Sequence, residues 1–97
     1  MTQSPRHVLG VDLGTGGPKV VLASTNGTIL GHEAEHVDLV LLPGGGAEQD
    51  PAAWWQAIVT ATRRLLARDL APVETIAAIC MSSQWGGVVP VDSRGRH

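Results

Sequence analysis

The stretch VDLGTGGPKVVLAS, residues 11–24, constrains this chain more than any other. An apolar run over 8–13 carries one carboxylate, Asp12, and is followed at once by Gly14, Thr15, Gly16, Gly17 and Pro18. The chain then turns apolar again. A carboxylate buried without a partner is costly, so Asp12 must protonate, find donors or face a cation at the end of its strand. Bare glycines let a backbone come close to a ligand, and consecutive N–H groups in such a turn form an anion-binding concavity. Thr15 adds a hydroxyl and Lys19 a positive charge. A carboxylate for a hydrated metal ion, with bare amides and a lysine for phosphate, suits a magnesium nucleotide. On this stretch alone the alternative stays open: a tight hairpin with Asp12 as a satisfied turn residue.

Other glycine loops do not fit. A dinucleotide-binding G-x-G-x-x-G opens a helix. Here Gly14-x-Gly16 leads through Pro18 and Lys19 into VVLAS, which reads as strand. A P-loop places Gly before its lysine and Ser or Thr after it, whereas Lys19 stands between Pro18 and Val20. The setting is strand, turn, strand.

Periodicity organises the rest. Residues 8–13 read as a strand buried on both faces, 14–18 as a turn and 20–23 as a second strand. Asn26-Gly27 predicts a two-residue type I′ hairpin, and a third strand runs from 28 to about 39. Pro43 to Gly46 is loop. Asp50 and Pro51 suit an N-cap and a first helical position. Trp54, Ile58, Ala61 and Leu65 then recur at helical spacing, so a helix is expected over 51 to about 69, ended by Ala71-Pro72. Residues 76–81 read as a short buried strand, 82–87 as a loop, 88–91 as another strand and 93–95 as a turn. The order β-β-β-α-β predicts a mixed α/β sheet, and it resembles the opening of the ribonuclease-H-like fold shared by actin and the sugar kinases.

The chain has 97 residues, 43% hydrophobic and 16% charged, with a net charge of −2. That balance gives no electrostatic case for a nucleic-acid or membrane-surface partner. No apolar stretch approaches the roughly 20 residues of a membrane span, and no signal-peptide pattern opens the chain. A cytoplasmic protein is the expectation. Cys80, the sole cysteine, reads as a small core residue in a reducing compartment. Phe and Tyr are absent, so the core must rest on aliphatic residues and indoles, with Trp54 and Trp55 packing the helix. His7, His32, His36 and His97 lack metal-ligand spacing and read as solvated. Arg63-Arg64 reads as a solvated helix face. The ending VPVDSRGRH supplies no closing element, and the chain is expected to be cut short.

Three blocks together resemble the amino-terminal part of the FGGY carbohydrate kinases, the group of xylulose kinase and glycerol kinase. GVDLGTGGPKVVLAS is similar to the first phosphate motif, GGGAEQDPAAWWQAI to the E-Q-D-P-x-x-W-W helix start, and IAAICMSSQWGGVVPVD to the strand, S-x-Q-x-x-G, strand segment. With the apolar lead-in from Val8, they extend to Asp92. The resemblance implies an actin-like ATPase domain, partial over residues 1–97, with a second domain outside this chain. It implies ATP-dependent phosphorylation of a sugar or polyol hydroxyl, with ATP and Mg²⁺ as cofactors and a homodimer possible for the parent. Asp12 would hold Mg²⁺ through water. Gly14, Thr15, Gly16 and Gly17 would approach the phosphates and Lys19 would contact them. Gln84, Trp85 and Gly86 would touch the sugar, with Glu48 either lining that pocket or favouring the helix N-terminus. The family's catalytic base finds no counterpart here, since Asp69 and Asp92 lie in turn-like segments.

This chain also departs from the pattern. Gln84-Trp85-Gly86-Gly87 lacks the histidine of the xylulose kinase Q-M-H-G loop and the Arg-Glu of glycerol kinase, which puts both substrates in doubt. Trp85 can stack on a sugar face or serve packing. Competing functions are a non-catalytic fragment or binding piece, and another actin-like ATPase. The second and third blocks speak against the latter, while no residue separates kinase from fragment.

Overall fold

The computed structural model describes residues 6–97. A four-stranded sheet has the order β3-β2-β1-β6, built from β1 (His7–Gly14), β2 (Gly17–Ser24), β3 (Ile29–Ala34) and β6 (Ile76–Ser83). A small separate hairpin pairs β4 (Val40–Leu41) with β5 (Ala47–Glu48), and α1 (Pro51–Leu66) follows it. β1 runs antiparallel to β2, from His7↔Ser24 to Gly14↔Gly17, and parallel to β6. The β-β-β-α-β order is therefore present, interrupted by the short β4–β5 hairpin.

One face of the sheet makes the core, so β1 is not buried on both faces as expected: Leu9 and Val11 are buried and Asp12 is exposed, because α1 covers one side alone. Leu9 and Val11 on β1 and Val20 and Leu22 on β2 alternate inward, and α1 lays Ala61 and Leu65 over them. Helix α1 begins where expected: the Asp50 side chain accepts from the Ala52 N–H at 2.9 Å, and Pro51 follows at the first helical position. Each fully buried Leu or Val contributes roughly 1.5–3 kcal/mol over an exposed one. Gly31 lets this layer close, because a Cβ there would sit 2.6 Å from Leu70 Cδ1.

The helix ends earlier than its apolar pattern predicts. Ala67 and Arg68 tighten the last turn, and Asp69 adopts φ 57°, the left-handed region that Asp tolerates. The stop precedes Pro72 and does not depend on it. The third strand likewise ends at Ala34 instead of near Leu39. Glu35 N–H donates to Pro18 O and Val37 N–H to Gly16 O, both at 3.1 Å. Pro18 has no N–H to return the bond, so the ladder there is one-sided. The β2–β3 hairpin forms, with three residues in its loop instead of a type I′ pair. Ser24 N–H donates to Thr28 O at 2.8 Å, and of Asn26 and Gly27 only Gly27 has positive φ.

The last strand is the largest departure. β6 was expected buried, yet Ile79 and Met81 are 63% and 62% exposed although they lie in register with the buried Leu9 and Val11. Helix α1 packs on β2 and β3 and does not reach the β6 edge. Cys80 points to the opposite face of the sheet, which no helix covers; it is exposed and is no core residue. Residues 88–91 form no strand, having no partner strand among the described residues. The turn at 93–95 is present, closed by the Gly95 N–H on Asp92 O.

Three side-chain expectations change as well. His7 is buried, and its Nδ1 lies 2.7 Å from Thr75 Oγ1. The Thr75 hydroxyl donates to Pro72 O, so the ring nitrogen is the donor to Thr75. Trp55 is 64% exposed and packs no core. Arg64 is not simply solvated: it reaches Glu35 at 3.1 Å and Glu33 at 3.6 Å, tying the helix to the 33–35 segment. Arg68 joins through Glu33 and the His32 carbonyl. Partly exposed pairs of this kind contribute about 0–1 kcal/mol each.

Candidate functional site at the carboxyl ends of β1 and β6

The parallel pairing of β1 and β6 sends both chains toward the same end of the sheet. There the Thr15-Gly16 tip of the glycine hairpin meets the loop that starts at Gln84. Backbone makes the first join, the Gln84 N–H donating to Leu13 O at 2.9 Å. Side chains make the second, the Thr15 hydroxyl donating to Gln84 Oε1 at 2.9 Å.

Gln49, just before the helix N-cap, completes the network. Its Nε2 donates to Thr15 O at 2.6 Å and more weakly to Val37 O at 3.5 Å. Its Oε1 accepts from Trp54 Nε1 at 3.1 Å and from Gln84 Nε2 at 3.2 Å. Gln49 is not among the residues expected at the site, and Trp54 was expected only to pack the helix. The one signal available was the position of Gln49 inside the E-Q-D-P block.

Beside this network lies an open cleft of about 700 Å³, walled by Thr15, Glu48, Trp54, Gln84, Trp85 and Gly86 among others. The proposed sugar-facing residues are thus brought together. Trp85 projects almost fully, at 97% exposure. Glu48, on the exposed strand β5, lines the cleft without a side-chain hydrogen bond to any described residue. His97 folds back to within 3.2 Å of Asp50 at the helix start.

Asp12 and Lys19 lie elsewhere. They face each other in register across β1 and β2, on the side of the sheet opposite α1, and line a shallow groove of about 460 Å³ with His32, Cys80 and Ser82. Asp12 is exposed, so its strand position carries no burial cost. Ser82, its neighbour on β6, donates to Asp12 Oδ1 at 2.9 Å. Ser82 was not among the expected site residues; its one signal was its place as the serine of the S-x-Q-x-x-G segment, and nothing in the sequence specifies the β1–β6 register that brings it to Asp12. Among the described residues no three His, Cys, Asp or Glu side chains gather as a metal cage.

The glycines differ in what they do. Gly17 has φ 123°, and a Cβ there would come within 2.0 Å of the Glu35 carbonyl oxygen, so its bareness serves the chain's own packing. At Gly16 a Cβ would meet nothing within 4 Å, and at Gly14 only the Gly17 oxygen at 3.9 Å. The space over the hairpin tip is open.

Comparison with known proteins matches this arrangement to a family. Residues 7–97 match the N-terminal domain of the FGGY family of carbohydrate kinases. The xylulose kinase of Bacillus subtilis (strain 168) is 30% identical over 87 residues, covering 90% of this chain and 17% of that protein. A crystal structure of a xylulose kinase from Brucella ovis superposes with a TM-score of 0.89 at 33% identity, covering 94% of this chain and 19% of that one. The gluconate kinase of Lactobacillus acidophilus gives 0.85 at 28% identity, covering 96% of this chain and 18% of its own. The chain thus spans under a fifth of the length of these relatives. The α/β fold is the actin-like arrangement of these kinases, in part. Matched from His7 to His97 and superposable on solved members, this chain belongs to the FGGY family of carbohydrate kinases.

Proposed function

We propose that the chain forms one wall of a cleft in which phosphate passes from a magnesium nucleotide, ATP, to a hydroxyl of a sugar or polyol. The observation that carries this reading is the Thr15–Gln84 hydrogen bond. It joins the Thr15 hairpin tip to the Gln84 loop, so that a phosphate on the one and a sugar on the other would lie close enough for transfer. Phosphoryl transfer depends mostly on positioning and charge neutralisation. The open backbone at Gly14 and Gly16, with Gly17 and the Thr15 hydroxyl, would receive phosphate oxygens, and Lys19 would neutralise charge nearby. Gln84, Trp85, Gly86 and Glu48 would face the sugar.

The residues present fit a hydrated magnesium ion. Mg²⁺ keeps several waters and needs only one or two carboxylates beside the phosphates. Asp12 is exposed and spends Oδ1 on Ser82 while Oδ2 has no hydrogen-bond partner among the described residues. When bound, the ion would neutralise phosphate charge. No residue of this chain is assigned as the base that takes the hydroxyl proton. The reading extends to a cytoplasmic enzyme in which residues 1–97 belong to an N-terminal domain working with a second domain outside this chain, with a homodimer possible for the parent.

A chimera tests it. The chain replaces the matching segment of the Bacillus subtilis xylulose kinase, and sugar-dependent ADP release is measured with and without Asp12→Asn. Turnover that collapses with Asp12→Asn is the expected result. A folded chimera whose turnover is indifferent to Asp12 overturns the assignment.

A further inference from the structure

Donor and acceptor logic fixes the direction of every hydrogen bond in the hairpin-to-loop network. An indole nitrogen only donates, so the Gln49 atom facing Trp54 is its oxygen. Gln49 Nε2 then faces Thr15 O and Val37 O, both pure acceptors, which is consistent from the other side. Gln84 must therefore turn its Nε2 toward Gln49 Oε1 and its Oε1 toward Thr15. The Thr15 hydroxyl has one proton, and this order commits it to Gln84. Toward the open side of the hairpin Thr15 can only accept.

We infer that Gln49 is a positioning residue that makes Thr15 and Gln84 a two-way relay between the phosphate hairpin and the sugar loop. The inference rests on the reading of those two motifs given above. A phosphate oxygen at the hairpin tip has no proton to offer and competes for the Thr15 proton. If Thr15 rotates its proton to phosphate, Gln84 Oε1 loses its donor while Gln49 still holds Gln84 Nε2. The freed oxygen is then an oriented acceptor for a sugar hydroxyl. No covalent bond changes, and a single hydroxyl rotation carries the message. By linkage, sugar bound at Gln84 favours phosphate at Thr15 to the same degree.

The test is ¹⁵N NMR on the full chain, read at the Thr15 and Gly16 amides, the Gln84 side-chain amide and the Trp54 indole, during titration with magnesium ATP. In the wild type, the hairpin amides and the Gln84 side-chain amide shift together. In Gln49→Met, of similar length but unable to hydrogen-bond in this way, the hairpin shifts persist while the Gln84 response falls about fivefold or more. Gln49→Glu keeps both acceptor bonds but sets a carboxylate against two carbonyl oxygens, so the Trp54 indole signal survives and the Thr15 amide moves. Thr15→Val removes the relay proton and abolishes the Gln84 response in a chain whose Gln49 is intact, which guards against a misfolded Gln49 variant. ATP that moves the hairpin but not Gln84 in the wild type overturns the relay alone. ATP that moves no hairpin amide overturns the nucleotide reading and the relay with it. A Gln84 response unchanged in folded Gln49→Met removes Gln49 from the role.

Discussion

The Thr15 hydroxyl donates to Gln84 Oε1 at 2.9 Å across 69 positions of sequence. This contact exists because β1 and β6 are parallel neighbours that end together. A neutral hydrogen bond contributes about 0.5–1.5 kcal/mol net, and an exposed one belongs at the low end. A double-mutant cycle of Thr15→Val and Gln84→Ala, followed by urea unfolding, should return a coupling of about 0.5 kcal/mol. A value indistinguishable from zero would mean that hairpin and loop are independent.

Gly17 and Gly16 should respond oppositely to the same substitution. Gly17→Ala drives a Cβ against the Glu35 carbonyl at φ 123° and should cost about 2 kcal/mol or more. Gly16→Ala meets open space and should stay within about 0.5 kcal/mol. The urea midpoints decide, and equal losses would contradict the hairpin geometry.

Two aliphatic side chains on the helix-facing side of the sheet and its covering helix give a second contrast. Leu65 is fully buried, so Leu65→Ala should lose about 2–5 kcal/mol. Ile79, 63% exposed beyond the reach of α1, should lose no more than about 0.5 kcal/mol as Ala. A large loss at Ile79 would show that something covers β6 in solution.

Asp92 supplies a local pH dependence. Backbone N–H groups of Arg96 and Arg94 hold its carboxylate below the ordinary aspartate value, helped by the Arg96 side chain. A lowered folded-state value stabilises the 92–96 turn above the unfolded pKa of about 3.9, and this is lost as pH falls through the lower folded value. Protection of the Arg94 and Arg96 amides, taken relative to the intrinsic exchange rate at each pH, should therefore persist from neutral pH through the ordinary aspartate range and fall only under more acidic conditions. Protection already lost near pH 6 would rule out the carboxylate as the cause.

The chain alone should show no kinase turnover, since none of its 97 residues is assigned as the base that takes the hydroxyl proton. Sugar-dependent ADP release from the purified chain would refute this. Binding without turnover would agree with it.

What the sequence determined by itself was local or periodic. The apolar runs over 8–13 and 20–23 marked two strands, though not which face of the first is buried, and Asp50-Pro51 started the helix, because strand-forming runs and capping chemistry are written within a few residues. The three motifs marked the hairpin, the helix start and the sugar-type loop, and the family match agrees with them. Burial of β6 was not legible, since an apolar run is the same whether or not a helix covers it. Nor was the early end of β3, which depends on Pro18 withholding a bond from a strand not adjacent to it in local sequence. Only the tertiary structure decided that Gln49 joins Thr15, Trp54 and Gln84, and that Ser82 holds Asp12. These contacts follow from which strands lie side by side and in what register, and that is decided by pairing between segments far apart in the chain.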